Sequence, residues 1–166
     1  DAAAVADGLV ARDAAERFWN ENPELLPAGV VPADLELAAN HERRGLRTVT
    51  HHQTVDGVPV LGTAVSVAIR AGRISLVTVR AFPVESAATA PSVDAAAAAE
   101  VARGVLAARG QPDARVEASR LALFPMVGHD ALALRLVREI ALESGPGMRF
   151  TAYVDARTGD LVALRD

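Results

Sequence analysis

The chain has 166 residues, no cysteine, and 17 basic against 21 acidic residues, for a net charge of −4. Every basic residue is arginine, which excludes a lysine Schiff base, and the missing cysteines exclude a disulfide framework, a thiolate zinc knuckle and a cysteine nucleophile. Scattered arginines in an acidic chain also speak against a nucleic-acid footprint, which needs a concentrated basic face.

A globule of this length buries roughly 70% of its unfolded surface, so a core forms without staples. The longest alanine run, Ala95 to Ala99, falls far short of the ~20 apolar residues of a membrane span. The start at Asp1, with neither an initiator methionine nor a charged-then-apolar leader, reads as that of a processed or excised chain and says nothing for the cytoplasm.

From Ala2 to Trp19, Val5, Leu9, Val10 and Phe18 recur among charged residues at helical spacing, which predicts an amphipathic helix ending before Asn22-Pro23. A proline-rich loop (Pro23, Pro27, Pro32) follows. Residues 46–55 and 58–69 flank Asp56-Gly57, a pair suited to the positive φ angles of a two-residue type I′ turn, and predict a hairpin. Pro59 has no N–H for a ladder, so it belongs on an edge or at a bulge. Ala71-Gly72 then turns the chain into a strand over 74–82, rich in β-branched residues. Three antiparallel strands are expected after the first helix.

Residues 83–91, small and polar with a proline at each end, have linker composition. Ser92 or Asp94 is placed to cap a second helix running through Arg109, with Gly110 and Pro112 as its stop. Strands are expected over 116–124, 131–142 and 149–164, the last holding its own hairpin at Asp155-Ala156-Arg157-Thr158-Gly159. Each half thus reads as a helix followed by antiparallel sheet. The predicted class is α+β, as two consecutive helix-plus-sheet units, with a single merged domain as the other arrangement of the same elements.

No strong catalytic motif is present. His41-Glu42-Arg43-Arg44-Gly45 begins like the His-Glu-x-x-His helix of a zinc peptidase, but the fifth position is glycine and the surroundings read as a loop entering a strand. His51 and His52 are adjacent on a strand and point to opposite faces, so they do not share a metal. The fourth histidine is His129. A hydrolase would have to use His41, Glu42 or scattered acids, and none of these forms a recognisable constellation. Asp56 and Asp155 have local turn roles. The expectation is no catalytic residue, no metal site and no cofactor.

The stretch Gln53-Thr54-Val55-Asp56-Gly57-Val58-Pro59-Val60-Leu61-Gly62, followed by the alternating Val65-Ser66-Val67, resembles the hallmark of the fungalysin/thermolysin propeptide domain. Gln53, Asp56, Gly57, Pro59, Val60 and Gly62 carry the likeness. Val55 stands where that family often has an aromatic residue, and His52 where it often has a second glutamine. The C-terminal residues 150–162, with Tyr153, Asp155 and Gly159, resemble the closing hairpin of a PepSY domain, whose leading helix residues 92–109 fit. The resemblance implies two cystatin-like units, at 1–85 and 92–166. It also implies a non-catalytic, secreted or extracytoplasmic propeptide that chaperones and inhibits the zinc metallopeptidase domain of its own precursor. The competing expectation is a free-standing binding module or peptidase inhibitor acting in trans. The sequence does not fix the partner-binding residues; the face of the first sheet and the end near Asp166 are the candidate docking surfaces.

Overall fold

The computed structural model describes residues 8–83, 87–127 and 132–166. The chain divides into two compact units, Asp1–Ser86 and Ala87–Asp166, and each is a helix packed on one face of an antiparallel sheet.

In the first unit, helix α1 spans Gly8–Glu21 and buries Ala11, Ala15 and Trp19, one stripe at four-residue spacing. That stripe is not the one expected from the larger aliphatics: Leu9 is exposed and Phe18 only half-buried, while Val5 lies outside the described residues. Two alanines let the helix approach the sheet closely, and Trp19 fills the space beyond them. Asn22 closes the helix, its backbone and side-chain N–H groups both donating to the Phe18 carbonyl. Short 3-10 turns at Pro23–Leu25 and Pro32–Asp34 lead into the sheet.

Five strands follow: β1 (Leu35–Arg43), β2 (Leu46–Val55), β3 (Val58–Pro59), β4 (Ala64–Arg70) and β5 (Arg73–Arg80). The order is β1-β2-β4-β5, with β3 paired to β2. Two expectations are corrected here. The expected loop around His41 is strand β1, paired along β2 with a bulge between Leu37 and Ala39; its alanines and charges have little strand preference of their own, and pairing decides. The expected strand 58–69 is interrupted: β3 ends at Pro59 and the chain turns at Gly62, where φ is 78°. At the hairpin turns Arg44-Gly45, Asp56-Gly57 and Ala71-Gly72 both central residues have positive φ, the geometry whose twist suits two-residue hairpins. Val49, Val65, Val67 and Ile69 meet the α1 stripe in the core, with Val77 and Val79 of β5 half-buried beside them.

In the second unit, helix α2 spans Ala95–Ala108. Asp94 is the cap, accepting from the Ala97 N–H at 2.7 Å. At the far end the Gln111 and Gly110 N–H groups donate to the Leu106 and Ala107 carbonyls, a Schellman closure with Gly110 at φ 82°. Strands β6 (Arg115–Val127), β7 (Leu132–Ser144), β8 (Met148–Asp155) and β9 (Leu161–Arg165) form a meander in sequence order. Residue 131, the expected start of the second of these strands, lies outside the described residues, as do 84–86 of the linker.

Ala98, Ala102 and Leu106 of α2 rest on Ile140, Leu142, Ala152 and Val154. With Ala102 fully buried, Ala102→Leu has no room to enter and is expected to destabilise this unit by about 1–3 kcal/mol. Thermal unfolding followed through Tyr153, the only tyrosine, checks this; an unchanged midpoint would mean the helix sits less tightly than described.

Candidate functional site

The residues singled out between 53 and 62 form one hydrogen-bonded device. Asp56-Gly57 makes the turn that folds β3 back onto β2, pairing Thr54 with Pro59 and Val55 with Val58. The Val60 N–H donates to the Gln53 carbonyl at 2.8 Å, and the Val60 side chain is buried. After the turn at Gly62, Thr63 is pulled inward: its hydroxyl donates to the Val60 carbonyl at 2.7 Å and accepts from the Gln53 N–H at 3.1 Å. The His52 Nδ1 meets the Thr63 carbonyl at 3.0 Å.

Gln53 itself is buried, and its carboxamide reaches across to the chain leaving β5. Nε2 donates to the Phe82 carbonyl at 2.8 Å, and the Phe82 N–H donates to Oε1 at 2.9 Å. The side chain thereby supplies both halves of a ladder rung that β5, ending at Arg80, does not make. Thr63 and the Phe82 backbone were missed in the sequence reading; a threonine one residue after the glycine was the local sign available.

His41 sits exposed on β1, and the adjacent Glu42 accepts from the Gly45 N–H at 2.7 Å, a role within the β1–β2 turn. His51 is buried on the helix side of β2, while His52 faces the other way. Among the described residues no group of three or more His, Asp or Glu side chains is gathered that could hold a metal ion; His129 lies outside them.

Burial is the main influence on His51 and lowers its pKa below the ordinary 6.5, against the opposing pull of the Glu16 charge and the Val65 backbone, with Arg12 adding to the lowering. The unfolded chain therefore binds a proton more readily than the folded one. Stability is full above about pH 6.5 and falls as pH drops from there through the folded pKa. Urea midpoints of the first unit are expected to decline over that window and to flatten in His51→Leu; an equally steep decline in the variant would remove His51 as the cause.

In the second unit the closing hairpin is organised by Asp155. Its Oδ1 accepts from the Arg157 and Thr158 N–H groups at 2.7 and 2.8 Å, and its Oδ2 pairs with the Arg135 guanidinium. The Gly159 N–H returns to the Asp155 carbonyl at 3.0 Å, with Gly159 at φ 83°. Burial would push the carboxyl up, but the Thr158 amide, Arg135 and the Arg157 amide together hold it below the usual carboxylate range. Ala156 receives the Ser92 and Val93 N–H groups, which fixes the approach to α2 on the hairpin. Arg135 was not singled out from the sequence, since its partner lies twenty residues away.

A cleft of about 480 Å³ opens beside this hairpin, lined by Ser92, Leu134, Arg135, Asp155, Arg157 and Thr158 among others. Two arginines and one aspartate line it, and one of the arginines, Arg135, is already paired with that aspartate. Further along the same sheet face Arg120, Glu139 and Tyr153 form a linked row: Glu139 takes the Arg120 guanidinium and the Tyr153 hydroxyl, and Arg165 lies over the Tyr153 ring at 5.4 Å. Burial first, then the Glu139 charge, raises the Tyr153 pKa.

These features define the chain as a tandem of helix-on-sheet α+β units whose distinctive residues build hairpins and clamps. No family model and no curated protein matches the chain. Among solved structures it is similar to the Bacillus megaterium YpeB C-terminal domain, at 14% identity and a TM-score of 0.48, over 96% of this chain and 64% of that one. The chain thus spans less than two thirds of that structure's length. No helix of the described residues is long and apolar enough to cross a membrane.

Proposed function

We propose that the chain is a non-catalytic propeptide, acting as intramolecular chaperone and inhibitor of a thermolysin-like or fungalysin-like zinc metallopeptidase. The observation that carries this reading is the device at 53–62. The residues that resemble the propeptide hallmark, Gln53, Asp56, Gly57, Val60 and Gly62, act together in one local structure, which supports the reading.

A fragment that binds its near-native partner more tightly than the partner's unfolded chain stabilises that partner by linkage. Covalent connection within one precursor raises its effective concentration, to the order of mM for a short flexible link. Inhibition follows from covering the zinc cleft, with no chemistry by this chain. A secreted or extracytoplasmic setting belongs to the same proposal.

The test is to add the purified chain to the mature peptidase of its own precursor. Stoichiometric loss of peptide hydrolysis, and a higher yield of active peptidase on refolding with the chain present, are the expected results. Full activity at a large molar excess would eliminate inhibition, and an unchanged refolding yield would eliminate the chaperone role. Inhibition of a peptidase encoded separately, with no such precursor, would favour the module acting in trans.

A further inference from the structure

Arginines that are scattered in the sequence meet at one end of the first sheet. The helix side of this sheet carries Val49, Val65, Val67 and Ile69, so the alternate residues of each strand face away from α1. On that outer side Arg43 of β1 stands opposite Leu46 of β2, Leu46 opposite Arg70 of β4, and Arg70 opposite Arg73 of β5. These residues form one row across the sheet, and Arg44 sits in the turn beside it. All four arginines are exposed, and among the described residues none of them forms an ion pair. The nearby Glu42 belongs to the helix side, opposite Arg47, and is tied to the Gly45 N–H. The acid that the outer side of these strands does carry, Glu36, pairs with His52 at the far end.

This arrangement works against the fold. Like charges directly opposite in a ladder repel, and Arg70 with Arg73 is such a pair. Carboxylates brought from outside remove the repulsion and engage the guanidinium forks. Neighbouring strands lie about 4.8 Å apart, so the row from Arg43 to Arg73 spans about 14 Å, which is four steps of extended chain at about 3.4 Å each. Residues i, i+2 and i+4 of an extended segment point the same way and cover that span. We propose that this row docks an extended acidic segment of a partner protein, whose carboxylates on alternate residues pair with Arg43, Arg70 and Arg73 while the exposed Leu46 packs between them.

Other anionic partners match less well. Strands β1, β2, β4 and β5 hold no Phe, Tyr or Trp on which a base could stack, and a chain of net charge −4 repels a nucleic acid everywhere outside this patch. An anionic membrane meets the same repulsion, and the row offers it one leucine to insert. An acidic segment needs neither stacking nor insertion. The surface stands independently of the peptidase reading, since it concerns the charge of the partner and not its activity.

The probe is the capped peptide glutamate-serine-glutamate-serine-glutamate, titrated at low salt into the full chain and followed by proton–nitrogen correlation spectra, with the matching glutamine peptide as the neutral control. Saturable shifts of the amides of residues 43–46 and 70–73 are expected with the glutamate peptide alone, and are lost at about 1 M salt, where the Debye length is about 3 Å. The double variant Arg70→Ser/Arg73→Ser is expected to bind about tenfold more weakly. Its urea midpoint is expected to be no lower than the parent's, because a like-charge pair is gone. No saturable shift with the glutamate peptide, equal shifts with the glutamine peptide, or unchanged affinity in the folded double variant would each overturn the site. Tighter binding of a short oligothymidylate, or of phosphatidylglycerol vesicles, at the same concentration of charge would also overturn it.

Discussion

Replacing Gln53 by leucine is expected to destabilise the first unit by about 2–4 kcal/mol, since two hydrogen bonds are lost and a backbone N–H and C=O of Phe82 are left behind. Leucine approximates the side chain's size, so the loss is one of polarity more than packing. Urea unfolding followed by Trp19 emission measures it, and a midpoint equal to the parent's would show that Phe82 finds water instead. Gln53→Glu separates the two halves of the clamp. A glutamate still accepts from the Phe82 N–H but no longer donates to the Phe82 carbonyl, and it places a charge in a buried site. Protonated, it regains a donor. Its folded pKa is therefore expected above the unfolded value, so, measured against the leucine variant at the same pH, its stability is highest below about pH 4.3 and falls as pH rises through the folded pKa.

Asp155→Ala is the second large effect, expected to cost the second unit about 2–3 kcal/mol through two freed turn amides and an unpaired Arg135. Asp155→Asn keeps an oxygen for the turn and loses only the charge pair, so it is expected to cost about half as much. In the parent the folded pKa lies below the unfolded value near 3.8, so the contribution is complete above that value and is lost as pH falls through the folded pKa. The stability difference between the parent and Asp155→Asn, followed through Tyr153, should therefore be constant above about pH 3.8 and shrink as pH falls through the folded pKa, since the asparagine does not titrate. If alanine and asparagine cost the same, the turn hydrogen bonds contribute nothing measurable.

The parts of this fold that were legible are those whose cause lies within a few residues. Asp56-Gly57 specifies its turn locally, and residues 46–55 emerged as β2 with the bounds expected. Asp94 and Gly110 marked α2 because a cap and a left-handed stop are short-range chemistry. Strand β1 was hidden because Leu35–Arg43 is held by its partner and not by its own preferences. The α1 stripe was misplaced because large aliphatics drew the eye from Ala11 and Ala15, whose value is their smallness. Gln53 was noticed for its resemblance, but its partner Phe82 is 29 residues away, and no local rule connects them. Trp19 and His51 likewise come together only once the helix lies on the sheet.

The strand orders have a kinetic meaning. Apart from the short β3, every strand in both units pairs with the strand next to it in sequence, so no rung of either ladder waits for a distant segment to arrive. Pairing between neighbours keeps contact order below that of a sheet with crossovers, which favours faster folding, and single hairpins close in about 1–10 μs. A meander is therefore an arrangement that sets early.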